Sequence, residues 1–409
     1  MAVESDPRYS SAPSPAKVSP LYDPKVRGMV AQIVLLVIVV GLGYGLVTNT
    51  YTNLQKGGIA SGFGFLSDPA GFGIIQALIP YTESSSYLRV FFVGLLNTIL
   101  VAVIGIILAT ILGFIVGIAR LSSNWLVSTI AWAYIEVMRN IPLLLHLFIW
   151  YFAVLRALPA KRDEPISFFD TVFLNIFGIW APALITADGF WMTLAAIPLA
   201  VVVAWGVSRW AKARQLRTGQ PFPSFWVGLG ILIAIPLAVF AATGMPATWE
   251  HPVFKETGPL LRRGFQQDIG LNIIPEFIAL LLALTIYTAG FIAETVRAGI
   301  QSVHKGQTEA ARSLGLRPNR TTQLVVIPQA MRVIIPPLTS QYLNLTKNSS
   351  LAVAIAYPDL VSVFAGTSLN QTGQAVEIVL MVMAVYLTLS LLTSALMNWY
   401  NARVALVER

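Results

Sequence analysis

Cysteine is absent from the 409-residue chain, which excludes disulfides and cysteine metal sites. The three histidines, His146, His251 and His304, stand far apart and form no metal-spacing motif. Charge is scarce: Asp, Glu, Lys and Arg make up 11% of the residues, where a soluble domain carries about 25%. No G-x-x-x-x-G-K-S/T phosphate loop occurs, so the chain does not itself bind ATP in that way. HExxH and GxSxG are missing too, which removes the common metalloprotease and hydrolase centres. Ten-residue segments alternating polar and apolar are not seen, which argues against a β-barrel. The net charge of +8 is an excess of a kind that, in a membrane protein, marks cytoplasmic loops rather than nucleic-acid binding.

What is abundant is apolar: 56% of the residues are hydrophobic, gathered in runs of membrane length. A helix rises 1.5 Å per residue, so about 20 apolar residues cross ~30 Å of hydrocarbon. The fold class expected is an all-α polytopic membrane protein. Residues 1–27, rich in Pro and Ser with charges of both signs, read as a flexible tail. The run Gly28 to Val47 is too long for a signal-peptide core, and no small-residue cleavage site follows, so it is the first span. A Gly- and Pro-bearing loop then runs to residue 88, with a short interfacial stretch expected at Ile74 to Ile79. Further spans are expected at Phe91 to Ile118, Trp125 to Leu158, Phe190 to Val207, Phe225 to Ala242, Ile274 to Ile292, Ile334 to Tyr357 and Ile378 to Trp399, eight in all. The aromatic part of the connector 159–186, Ile166 to Ile179, reads as interfacial.

Trp125 to Leu158 is too long for one straight span and is interrupted by Arg139-Asn140-Ile141-Pro142. Proline removes a backbone donor and disfavours helix at the residue before it. An arginine at a break inside a membrane segment points to a cavity or a pathway. Translocation-path candidates are Glu136, Arg139, Asn140, Lys347, Asn348 and Ser349. Two readings stand for the charged ones. Glu136 and Arg139, at i and i+3, suit a simple pair on one helix face, as do Glu294 and Arg297, for which the structural pair is the better reading. Lys347 suits snorkelling to an interface. Alternatively, such a cation faces a cavity and marks a pathway. His146 reads as a packed or interfacial residue rather than a ligand. Gly94, Asn97 and Thr98 are small or hydrogen-bonding residues suited to close packing in lipid.

The longest polar interruption of the C-terminal half is Gly306 to Pro328, GQTEAARSLGLRPNRTTQLVVIP. Thr308 is placed to cap a short helix ending at Leu314, with Glu309 in its first turn. Gly315 stands where a left-handed residue ends a helix, and Pro318 suits the first turn of the next. Lys and Arg concentrate in the N-terminal tail, in 209–221, in 297–333 and at the C-terminus, which places both termini and this loop in the cytoplasm.

Glu309-Ala310-Ala311, then Gly315, then Val325-x-Ile327-Pro328 resembles the EAA loop of ABC-importer permeases. Arg139 to His146 resembles the RxxPLLxQ signature of the polar amino-acid permeases, with His146 where glutamine is usual. Gly94 to Gly105, Tyr287 to Gly299 and Lys347-Asn348-Ser349-Ser350-Leu351 are similar to further blocks of that family. The two-span insertion and the long N-terminal loop resemble the general L-amino-acid and glutamate/glutamine/aspartate/asparagine permeases of Gram-negative bacteria.

The resemblance implies a type I importer transmembrane fold. It divides into a tail (1–27), a first helix and periplasmic loop (28–87), a first part of the permease core (88–155), an insertion with two extra helices (156–274), a second part of the core (275–400) holding the coupling loop 306–328, and a cytoplasmic tail (401–409). ATPase coupling falls to Gly306, Glu309, Ala310, Ala311, Gly315 and Pro328. The implied partners are a second permease forming a hetero-dimer, an ABC ATPase dimer that uses ATP and Mg, a periplasmic amino-acid-binding protein and membrane lipid. This chain binds no cofactor, no metal and no nucleic acid, and is a transport subunit of the bacterial inner membrane rather than an enzyme. The alternative is an ion-coupled secondary transporter, a class usually marked by inverted repeats and paired broken helices. One broken span and no repeat are visible here. A scaffold protein leaves the EAA loop unexplained.

Overall fold

A computed structural model describes residues 24–56, 61–160, 165–255, 264–266 and 269–404. The expected tail lies outside these residues up to position 23, and the C-terminal tail from 405 onward. Helix α1 spans Pro24–Lys56 and α2 Tyr87–Ala119. Between them lies a loop with one 3-10 turn at Gly64–Ser67, and the interfacial stretch expected at Ile74 to Ile79 is non-helical. Helix α3, Trp125–Asn140, is capped by Asn124, whose side chain accepts the N–H groups of Leu126 and Val127. Ile141 is extended before Pro142, and α4, Leu143–Phe148, leaves in a new direction. Through a π turn, Ile149–Val154, and a 3-10 turn it continues to Ala157, bent by 105° from α3. The proline thus breaks the span where the sequence predicted.

Four strands follow, β1 Ile166–Phe168, β2 Val172–Asn175, β3 Gly178–Ala181 and β4 Ala183–Thr186. Helices α5, Phe190–Thr218, and α6, Ser224–Ala242, form a hairpin. Then come β5 Ala247–Glu250, β6 Phe254–Lys255, β7 Gly264–Phe265 and β8 Leu271–Ile273. The antiparallel order β1-β2-β3-β8 ties the connector before α5 to the one after α6, and β4 pairs with β5. Trp180 on β3 stacks on Phe265 of β7, ring centroids 4.8 Å apart. The aromatic stretch read as interfacial is therefore a small sheet. Its partner strand lies far along the chain, beyond the reach of local pattern reading.

The remainder is helical: α7 Pro275–Gln301, α8 Lys305–Ser313, α9 Pro318–Thr321, a π turn at Thr322–Val326, α10 Ile327–Asn348, a 3-10 stretch Ser349–Ile355, a π stretch Val361–Ser368, α11 Leu369–Thr372 and α12 Ala375–Val404. Among the described residues, six helices are long and apolar enough to cross a membrane, or seven if the bent pair is one span. The seventh expected span, Ile334 to Tyr357, corresponds to α10, which is 22 residues long and carries Pro336, Pro337 and several polar residues. Its length suffices but its apolarity does not, so eight is not reached by length and composition.

The core sits where α2, α7 and α10 meet, with Val101, Ala109, Leu284, Ile292, Ile334 and Leu345 all buried. Glycines allow that approach. A Cβ on Gly117 would lie 2.7 Å from the Ala293 carbonyl oxygen, and one on Gly94 would lie 2.8 Å from the Leu360 Cα. Asn97 and Thr98 then fasten the irregular segment after α10. Asn97 Nδ2 donates to the Pro358 carbonyl at 2.8 Å, and the Leu360 N–H donates to Thr98 Oγ1 at 3.0 Å.

Candidate functional site

Two places combine exposure with organised chemistry. The first is a cavity of about 270 Å³ midway along α7, lined by Tyr287, Thr288, Phe291, Gln341, Asn344 and Asn348. Gln341, Asn344 and Asn348 follow the i, i+3, i+7 spacing that puts three amides on one face of α10. Opposite them, α7 supplies a hydroxyl and two aromatic rings. Arg139, in the last turn of α3 before the proline break, brings its guanidinium 5.4 Å from the Phe291 ring centroid. The break is what delivers a cation here: a continuous helix would carry the chain past, whereas the bend ends α3 against α7. The ensemble offers amide and hydroxyl groups with a cation beside them, a set suited to a small zwitterion carrying a carboxylate.

The proposed candidates divide around this cavity. Asn348 lines it and Arg139 borders it through Phe291. No ion pair joins Glu136 to Arg139 within 4 Å among the described residues; Asn140 Nδ2 instead donates to the Glu136 backbone carbonyl at 2.7 Å. Lys347 is exposed, and Ser349 is buried with its hydroxyl turned back to the Thr346 carbonyl at 2.7 Å. Neither lines the cavity. Glu294 and Arg297 form a bidentate pair, the closer contact at 2.6 Å. His146 is buried and packs edge-on against Tyr287, centroids 5.8 Å apart. Tyr287 and Thr288 entered the sequence reading only as the opening of a family-like block, with no cavity role. Gln341 and Asn344 were not singled out from sequence; their signal was the amide stripe on α10, which hydropathy averaging reduces to a weak span.

The second place is α8 and its turn. The helix begins three residues before Thr308, because His304 takes the cap: its Nδ1 accepts the Gly306 N–H at 3.1 Å. Glu309 accordingly sits in the second turn, not the first. A Cβ on residue 306 would come 3.0 Å from that same Nδ1, so glycine lets the imidazole reach the backbone. The other end is closed by a Schellman motif. The Leu316 N–H donates to the Ala311 carbonyl at 3.2 Å and the Gly315 N–H to the Arg312 carbonyl at 2.8 Å, with Gly315 at φ +78°. Pro318 opens α9 as the sequence predicted. Ala311 is buried, Gln329 on α10 donates to Gln307 at 3.2 Å, and Glu309, Ala310 and Leu314 face outward, Leu314 84% exposed. Pro328 lies at the start of α10, just past the π turn that joins α9 to it. A helix nine residues long, locked at both ends, thus exposes Glu309 and Ala310, with an exposed leucine in the turn that follows it.

Residues 196–406 match the family described as "Binding-protein-dependent transport system inner membrane component". Over 96% of this chain and 95% of the relative, 50% of residues are identical to the "General L-amino acid transport system permease protein AapQ" of Rhizobium johnstonii. Identity is 51%, over 95% of this chain and 96% of the relative, with the "Putative amino-acid ABC transporter permease protein YhdX" of Escherichia coli. The "Glutamate/glutamine/aspartate/asparagine transport system permease protein BztB" of Rhodobacter capsulatus is 43% identical over 95% of this chain and 96% of its own length.

Proposed function

The chain belongs to the family of binding-protein-dependent transport system inner membrane components, and from that premise we propose that it is the membrane-spanning permease subunit of an ATP-driven importer of polar L-amino acids. Glutamate, glutamine, aspartate and asparagine, or a broad range including them, are the substrates. They share an α-carboxylate for Arg139 and an α-ammonium and polar side chains for the amide stripe. Three relatives spanning nearly the whole chain carry amino-acid permease names, which supports the class. The subunit sits in the bacterial inner membrane with both termini inside. It pairs with a second permease, takes substrate from a periplasmic binding protein and docks an ATPase dimer that binds ATP and Mg.

One observation carries the reading: α8 presents Glu309, Ala310 and Leu314 outward on a helix whose two ends are both locked. A nine-residue helix is not stable alone. Its caps and its contact with α10 make it rigid enough to transmit a push. Closure of the ATPase dimer displaces α8, and the π turn at Thr322–Val326 passes the displacement to α10, which bears the amide stripe. Substrate released into the outward-open cavity is then delivered inward when hydrolysis resets the ATPase.

The test is a photocrosslinking amino acid at position 314 in membranes carrying the chain with the proposed second permease and ATPase. The expected product is an adduct with an ATP-binding subunit, lost when Gly315→Asp is added. Efficient crosslinking only to lipid or to another membrane subunit would overturn the coupling role.

A further inference from the structure

The α5–α6 hairpin lies to one side of the core, and no residue of α6 is buried. It nevertheless carries an organised basic end. From Asp188 to Glu250 the chain holds no intervening acid, yet Arg209, Lys212, Arg214 and Arg217 occupy the last three turns of α5. Helix α5 runs 29 residues, about 43 Å, against ~30 Å of hydrocarbon. Measured from Phe190, Arg209 stands about 28 Å along the axis, where the helix leaves the apolar layer. Lys212 and Arg214 then fall at headgroup depth, and Arg217 lies just outside it, within reach of its long side chain.

Two of the four are held by rings. The Arg209 guanidinium lies 4.1 Å from the Trp205 centroid. Arg214 lies 5.6 Å from Trp210 and 5.9 Å from Phe222, whose rings meet edge-to-face at 5.3 Å and fold the linker back on α5. Arg214 is thereby a pin for the loop. Arg209, Lys212 and Arg217 occupy about 140° of helix arc, on the side away from Ala211, the buried position at that level. All three are exposed and none has an ion-pair partner among the described residues. Below them the same helix exposes Val201, Val202 and Trp205.

We propose that this face of the hairpin binds an anionic phospholipid, whose phosphodiester headgroup is held by Arg209, Lys212 and Arg217 and whose acyl chains lie on the apolar face of α5. Charge complementarity selects the headgroup, because a cluster of several cations just outside a membrane helix attracts acidic lipid. Trp205 stacking holds the Arg209 side chain in place while leaving its N–H groups free to bond phosphate oxygens. Position selects a lipid over free phosphate: the cations begin where the helix crosses the hydrocarbon boundary, so a bound headgroup carries its chains onto surface that needs covering.

Native mass spectrometry of the purified full chain tests this, with phosphatidylglycerol and phosphatidylcholine competing during delipidation. Wild type is expected to retain phosphatidylglycerol at least tenfold better, with the preference shrinking as salt is raised. The triple variant Arg209→Gln, Lys212→Gln, Arg217→Gln should lose most of it, while Arg209→Lys with Arg217→Lys keeps it. Millimolar inorganic phosphate should not displace the lipid. Wild type with no headgroup preference overturns the proposal outright, whatever the variants do. So does a triple variant that inserts with the same topology, read by a cysteine at Thr218 staying unlabelled in intact cells, and keeps the full preference. Displacement by free phosphate would make this an anion site and not a lipid site.

Discussion

At the scale of single residues, the two ends of α8 show what local sequence reveals. Gly315 was legible because a left-handed C-terminal residue is a backbone requirement that few side chains meet, and its φ is +78°. Gly315→Asp should cost about 1 kcal/mol or more locally and redirect Leu314 and Leu316. Uptake should fall sharply while the amount of inserted protein, measured by immunoblot, stays normal. The His304 cap was not legible, since imidazole seldom stands in for the usual capping oxygen, and Thr308 was a better match to that pattern. Arg139 was legible as a cation at a break, but its partner was not: spacing favoured Glu136, and the bend instead set the guanidinium over Phe291. Arg139→Ala should therefore lower uptake of a carboxylate-bearing substrate roughly tenfold to a hundredfold, the loss of one hydrogen bond to a charged group. Adding Glu136→Ala should not restore it, and rescue in that double variant would show that Arg139 serves only to neutralise its helix neighbour.

At the scale of elements, the long spans were readable from apolar runs alone: α2, α6 and α12 fall close to their expected bounds, and α7 starts where expected but runs on to Gln301, past the expected end at Ile292. The connectors were not. The sheet β1-β2-β3-β8 depends on pairing across the entire α5–α6 hairpin, and no periodicity inside a four-residue strand announces so distant a partner. The amide stripe of α10 was hidden for the opposite reason: averaging over a window erases a face. Close packing of α2 on α7 rests on glycine, and Gly117→Leu checks it. Its Cβ would stand 2.7 Å from the Ala293 carbonyl oxygen and 2.8 Å from the Val296 Cβ. Overpacking of this kind costs about 1–3 kcal/mol. A thermal midpoint several degrees lower in detergent is the expected result, and an unchanged midpoint would mean the two helices separate more easily than their packing implies.

At the scale of the whole molecule, the cavity on α7 and α10 and the partly exposed α8 are joined through α9, the π turn and α10. That route includes the non-helical turn 314–317, held by the Gly315 and Leu316 hydrogen bonds, and the proposed coupling requires a push at α8 to cross it. Such an arrangement is expected of a subunit driven from outside itself by nucleotide, and it differs from a carrier driven by an ion gradient, which must bind its coupling ion within the bundle. The most direct discrimination is uptake of labelled glutamate and glutamine into proteoliposomes containing the chain with the proposed second permease, ATPase and binding protein. Accumulation that requires internal ATP and loaded binding protein, is abolished by Gly315→Asp, and continues unchanged when ionophores collapse the proton and sodium gradients is the predicted result. Accumulation that proceeds without ATP and vanishes with the ionophores would contradict the account.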